Sequence, residues 1–331
     1  MIETLGLTKT FRQGKKTVEA VRGIDLTIGE GELVALLGPN GAGKSTTLRM
    51  LTTLLAPTSG SARIAGFDVA RDRDRVRRSL GYVGQGNGAG HNQRVRDELV
   101  VQGLCYGMTR HRSRSRADEL IEALELGELA ARTVSTLSGG QRRRLDIALG
   151  LVHRPPLLFL DEPTTGMDPQ SRANLWEHIL RLRREMGTTI VLTTHYLDEA
   201  DSMAERVIVV DHGTVIADDT AAALKSELAG DLIVLTVSDA SALASLLAGV
   251  AGVKDVTVAD SRLNIRVERA EVILPELLHL SRSHDIDVRT AEMTRPTLDD
   301  VFLGLTGRSL RESAASTSSS LEFASTAGEL R

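Results

Sequence analysis

Residues Gly38-Pro39-Asn40-Gly41-Ala42-Gly43-Lys44-Ser45-Thr46 constrain this chain more than any other segment. They follow Leu33-Val34-Ala35-Leu36-Leu37, an unbroken apolar run of the kind buried on both faces of a parallel sheet. They precede Leu48, Leu51 and Leu55 at helical spacing, in a helix that Pro57 ends. A glycine-rich turn in that context points successive backbone N–H groups inward and makes a nest for phosphate oxygens. Glycine allows the close approach and the positive φ such a turn needs. Lys44 supplies a point charge to the β- and γ-phosphates of a nucleotide, and Ser45 a hydroxyl to a divalent metal. The helix that follows adds its positive dipole end. A chance glycine loop is the competing reading, and the flanking strand and helix argue against it.

Two further buried strands carry chemistry at their ends. Leu157–Leu160 runs into Asp161-Glu162, so both carboxylates emerge at the carboxyl edge of the sheet beside the glycine loop. One can hold Mg²⁺ and the other can orient or deprotonate a water; two acids at a strand end are otherwise turn residues. Thr189–Thr193 ends at Thr194-His195. His195 can contact a γ-phosphate and hold the water's geometry, where an isolated histidine would serve as a structural hydrogen bonder. Ser138-Gly139-Gly140-Gln141 opens a helix running to about Val152, which makes a second anion site or a plain helix cap. A second anion-binding helix start invites a two-sided grip across a dimer.

At 331 residues the chain has room for one large α/β domain and a smaller one. Strands alternating with helices imply a largely parallel sheet, with short strands over residues 1–30 and mostly helix over 92–136. The pattern changes near residue 229, where a βαββαβ order suggests a small ferredoxin-like α+β domain. The expected divisions are residues 1–228 (with a helical subdomain at about 86–152), 229–307, and a disordered Ser-rich tail at 308–331. A net charge of -4 gives no push toward nucleic acid. No apolar run approaches the ~18 residues needed to span a bilayer. The N-terminus does not read as a signal peptide. The one cysteine, Cys105, fits a reducing compartment and a buried structural thiol. The basic runs Arg71–Arg78 and Arg110–Arg116 read as solvated faces, with a role against lipid or a partner as the lesser alternative.

With Leu137-Ser138-Gly139-Gly140-Gln141 just upstream of Asp161-Glu162, the chain resembles the ATP-binding cassette (ABC) ATPases, a P-loop NTPase family, over about residues 1–225. The resemblance implies that Leu137–Gln141 of one cassette closes on the ATP held by the P-loop of another, in a pair expected to be a homodimer. It implies that Glu162 is the catalytic base, with Lys44 and His195 beside it. Mg²⁺ is then held by Ser45, Asp161 and Gln85, the last also sensing the membrane partner. Phe11, with Val18, matches the aromatic that stacks on adenine, against the alternative of core packing. Asp168, in Thr165-Gly166-Met167-Asp168, matches the loop joining the two sites. The glycine-rich stretch after Gln85 and the segment Arg94–Leu99 depart from the family's pattern without touching the hydrolytic groups.

Arg142-Arg143-Arg144-Leu145-Asp146 and Arg295–Leu303 are similar to motifs of the daunorubicin/doxorubicin-resistance exporter ATPases. Leu298, Val301 and Phe302 equally suit the apolar face of a docking helix. The resemblance implies an ATPase on the cytoplasmic face of a membrane, beneath a separate multi-spanning permease, exporting a drug or antibiotic. Export of a glycolipid or polysaccharide stays open as an alternative. A soluble ATPase acting on ribosomes or DNA is disfavoured, because one signature set occurs, without a long coiled-coil insert or zinc-binding cysteines.

Overall fold

The computed structural model describes residues 1–14, 16–226, 230–247 and 249–306. The expected boundary at 228/229 and the expected tail at 308–331 lie outside the described residues. The chain parts into two compact units between Ala217 and Asp218.

In the first unit, β1 (Ile2–Gln13) and β2 (Lys16–Ile28) are long antiparallel strands, not the short ones expected. Register shifts at Thr4/Leu7, Leu7/Thr8 and Lys9/Thr10, with Gly6 at φ 54°, break the two-residue alternation by which a strand is recognised. Next come β3 (Leu33–Leu37), α1 (Lys44–Leu51), β4 (Ser59–Ile64), β5 (Phe67–Asp68), α2 (Arg73–Arg78) and β6 (Leu80–Val83). Helices α3 (Val95–Cys105), α4 (Arg110–Ala123) and α5 (Gly139–Leu151) form the helical part. Then follow β7 (Leu157–Asp161), α6 (Pro169–Met186), β8 (Thr189–Thr194), α7 (Leu197–Met203), β9 (Arg206–Asp211) and β10 (Thr214–Asp219).

β1, β2, β4 and β5 make one sheet; the other has the order β10-β9-β3-β8-β7-β6. Pairings from β9 through β3, β8 and β7 to β6 are parallel. Every residue of β3, β7 and β8 is buried, which explains why these strands read as continuous apolar runs. One face of this sheet, through Val34, Leu36, Phe159, Val191 and Ile208, packs with Ile2, Ile24 and Ile28 of the first sheet and Leu48 and Leu51 of α1. Among the described residues no helix is long and apolar enough to cross a membrane.

The second unit contains α8 (Ala221–Leu224), β11 (Asp231–Val237), α9 (Ala240–Leu247), β12 (Val253–Ala259), β13 (Arg262–Val267), α10 (Ala270–Ser283), β14 (Val288–Thr294) and α11 (Leu298–Thr306). Its antiparallel sheet has the order β12-β13-β11-β14, the ferredoxin-like arrangement of a βαββαβ chain. Ile233, Leu235 and Val237 alternate inward with Leu263, Ile265 and Val267, against Leu243, Leu247, Ile273 and Leu277 of the helices. In α11, Leu298, Val301 and Phe302 are buried, and the helix packs on α8. Thr297 and Asp300 cap its start reciprocally, each side chain accepting from the other's backbone N–H, at 3.3 and 2.8 Å.

Candidate active site

The strand order fixes the site. Four adjacent parallel strands, β3, β8, β7 and β6, end on one edge of the sheet. Their carboxyl ends lead into the glycine loop, His195, Asp161-Glu162 and Gln85 respectively. Segments far apart in sequence thus become neighbours at the place where open α/β sheets bind ligands.

The glycine loop needs its glycines for space as well as φ. A Cβ at Gly38 would collide with the Val210 carbonyl oxygen. Gly43, at φ 104°, caps α1, and a Cβ there would collide with the Ala20 carbonyl oxygen of β2. Lys44 is buried, and its ammonium donates to the carbonyls of Gly38 and Pro39 at 2.6 and 3.0 Å. Burial pulls its pKa down, while Glu162 and Asp161 act in the opposite direction.

Asp161 is fully buried. Its Oδ1 accepts from the Ser45 hydroxyl at 2.8 Å and the Thr193 hydroxyl at 2.7 Å; Tyr82 donates to Oδ2 at 3.4 Å. Gln85 Nε2 lies 3.3 Å from the Ser45 hydroxyl. Hydroxyl, carboxylate and side-chain amide oxygens are the hard donors that Mg²⁺ takes, so this donor set fits that ion.

Glu162 is held at φ 48°, an uncommon conformation for a residue with a side chain. Its N–H bonds to Thr193, to the carbonyl at 3.2 Å and the hydroxyl at 3.0 Å, which fixes where the side chain starts. Its Oε2 stands 3.5 Å from His195 Nδ1 and accepts from the Thr165 hydroxyl at 3.1 Å. The imidazole beside it holds the carboxyl below the usual carboxylate range, against the opposing effect of partial burial, with Lys44 and Thr165 helping. An ionised carboxylate so placed can accept a proton from water.

Ser138 and Gln141 form a full capping box at the start of α5: the Ser138 hydroxyl accepts from Gln141 N–H at 3.3 Å, and Gln141 Oε1 accepts from Ser138 N–H at 3.0 Å. Ser138, Gly139 and Gly140 line a cavity of about 330 Å³ with Gln85, Glu162 and Asp168. Asp168 is exposed and caps α6, its Oδ1 accepting from Ser171 N–H at 2.9 Å. Leu137 is buried.

Set beside known proteins, the chain is 44% identical over 310 residues to "Daunorubicin/doxorubicin resistance ATP-binding protein DrrA" of Streptomyces peucetius, covering 92% of both chains. This chain belongs to the ABC transporter ATP-binding proteins. The ABC transporter family model matches residues 21–165, and the model for the C-terminal domain of DrrA1-3-like ATP-binding proteins matches 220–306. "Nod factor export ATP-binding protein I" of Paraburkholderia xenovorans is 38% identical over 90% of this chain and 95% of its own. Among solved structures, the dimeric bacterial ABC transporter cassette MJ0796 superposes with a TM-score of 0.62 at 30% identity, over 66% of this chain and 98% of that one.

In this ABC ATPase, Phe11 and Val18 face each other across β1 and β2 and are 40% and 45% exposed, so neither is core. Val18 stands two residues before Ala20 on β2, whose carbonyl oxygen a Cβ on Gly43 of the P-loop would meet. Lys9 Nζ sits 5.3 Å from the Phe11 ring centroid.

Three supporting residues escaped the sequence reading: Thr193, Tyr82 and Thr165. Thr193 pairs in register with Asp161, a placement set by strand order; no local signal marks it, because β8 also carries Thr189 and Thr194. The basic run on α2 is solvated as expected, but Arg116 of the second run is buried and donates to the Leu151 and Val152 carbonyls at 3.0 and 3.3 Å. Cys105 corrects the expectation of a buried thiol. It is exposed, because α3 buries the face through Val95, Leu99 and Gly103, and Cys105 lies off that stripe.

Proposed function

We propose that this chain is the ATP-hydrolysing subunit of an ABC exporter, a translocase working on the cytoplasmic side of a membrane with a separate multi-spanning permease. The observation that carries the reading is the delivery of the glycine loop, Asp161-Glu162, His195 and Gln85 to one sheet edge by adjacent strands. The P-loop backbone from Gly38 to Thr46 cradles the phosphates, and Lys44 exchanges its carbonyl partners for β- and γ-phosphate oxygens. Phe11, with Val18, stacks on adenine. Ser45, Asp161 and Gln85 would hold Mg²⁺, which would supply charge neutralisation to the β- and γ-phosphates.

Glu162 takes the proton of the attacking water, and His195 orients the carboxylate and contacts the γ-phosphate. The Thr193 bonds to Glu162 N–H keep that carboxylate aimed before the nucleotide arrives. Ser138, Gly139 and Gly140 serve the ATP of a second copy, with Asp168 joining the two sites. ATP binding closes the pair and hydrolysis reopens it, and the permease follows. The resistance name of the 44%-identical relative favours a drug or antibiotic as cargo, while the Nod factor exporter keeps a glycolipid or polysaccharide as the second reading.

Affinity capture of the Glu162→Gln chain from membranes in Mg-ATP tests the reading. Recovery of a multi-spanning membrane protein is expected. Recovery of ribosomes or DNA without one would sink the transport role and leave the ATPase site standing.

A further inference from the structure

Helix α5 starts in the Leu137–Gln141 signature of the ABC family and carries two buried charged residues, Arg143 and Asp146, whose partners lie elsewhere. Arg143 and Asp146, 8% and 5% exposed, are three residues apart and so share a face. Arg143 donates only to backbone carbonyls in its described bonds: Nη1 to Gly84 at 2.6 Å, Nε to Pro163 at 2.7 Å, and Nη2 to Asp161 and Glu162 at 3.1 and 3.3 Å. Asp146 Oδ1 accepts from the N–H groups of Gly88 and Ala89 at 3.0 and 3.2 Å. The loop bearing Gln85 is therefore held on both sides of that residue by one helix. The same guanidinium grips the backbone of both acidic residues and the proline after them.

Burying a guanidinium and a carboxylate is costly, and neither bond set is a simple ion pair. Arg143 and Asp146 Oδ1 direct their hydrogen bonds to main chain of the Gln85 loop and of the β7 end, while Asp146 Oδ2 is buried without a hydrogen-bond partner. A planar fork with five donors can hold several carbonyls in fixed relative positions, which an ammonium cannot.

We propose that Arg143 and Asp146 are positioning residues that clasp the Gln85 loop and the Asp161-Glu162 strand end to the signature helix. Displacement of Ser138–Gln141 by a second cassette is then transmitted along α5 to Gln85 and Glu162. This rests on the roles assigned to Gln85, Asp161 and Glu162 above. Charge on Asp146 is not what the clasp uses; an acceptor oxygen suffices, and burial already pushes its carboxyl pKa up.

The test compares the full-length wild type with Arg143→Ala, Arg143→Lys, Asp146→Ala and Asp146→Asn. The readouts are kcat, KM for ATP, half-saturating Mg²⁺, and amide exchange at residues 84–89. Loss of bonds to a charged group predicts a fall in kcat of about tenfold to a hundredfold for Arg143→Ala, with a raised Mg²⁺ requirement. KM for ATP stays near wild type, because the P-loop is untouched. Asp146→Ala speeds exchange at Gly88 and Ala89 and lowers kcat, and Asp146→Asn restores both. Should Arg143→Ala fail to fold, Arg143→Lys and the Asp146 pair carry the same comparison.

Wild-type kcat and Mg²⁺ requirement in the Arg143 variants, or an Asp146→Asn chain as impaired as Asp146→Ala, overturns the clasp. A wild type that hydrolyses no ATP overturns the site reading instead, and the exchange comparison at Gly88 and Ala89 still decides the clasp.

Discussion

The two units of this chain bury very different things. The first encloses Lys44, Arg116, Arg143, Asp146, Asp161 and Glu199, whereas Ser281 is the one buried polar residue among the described residues of the second. Ser281 is satisfied within its own helix, donating to Leu277 at 2.8 Å. The second unit holds together as an ordinary alternating sheet under two helices, and its inward residues are interchangeable in kind if not in shape. Every charge inside the first must be compensated by a specific partner, and several of those partners converge on one sheet edge. Buried charge is thus concentrated in the unit that holds the candidate site, whereas the described residues of the second unit bury apolar side chains.

Glu162→Gln strikes the first unit hardest. Turnover should fall about 10²–10⁴-fold with nucleotide binding intact, measured by phosphate release and equilibrium ATP binding. Phe302→Ala does the reverse. It should cost the second unit about 3–5 kcal/mol in denaturant unfolding while leaving kcat unchanged. A large loss of turnover there would break the division of labour just drawn.

A third expectation concerns pH. Glu162's carboxyl is held below its ordinary value, chiefly by His195. Its ionised form therefore adds stability above the unfolded-state carboxyl value, and that contribution is lost as pH falls through the lower folded one. The acid limb of the kcat/KM profile should follow the folded value, and His195→Ala should move that limb to higher pH. The smallest effect is expected for Phe11→Ala, about fivefold weaker nucleotide binding, because stacking is worth roughly 1 kcal/mol. Unchanged binding would return Phe11 to the surface with no role.

The P-loop was legible because motif and context agree: the glycines fall between a fully buried strand and a helix. Both buried strands bearing chemistry could be read for the same reason, since they show no alternation. The β1–β2 ribbon was misjudged in length because its register shifts scramble the alternation. Ile286 looks like a strand residue and is buried, but it lies in the loop before β14. Thr193 and Arg143 were out of reach as functional partners. Their importance arises from strand order and from a helix crossing a loop, neither of which is written in local spacing.

The Ser138 hydroxyl engages its own helix only by accepting, from Gln141 N–H. A hydroxyl has one proton to give as well, so it can hold the turn together and still offer that proton outward. Aspartate or asparagine would start the helix as well as serine does. Aspartate would confront an arriving phosphate with like charge, and asparagine would bring a bulkier group pointing a different way. Residues that are synonyms to a helix are not synonyms to an anion, and a substitution here can leave the fold intact while silencing the half-site it presents.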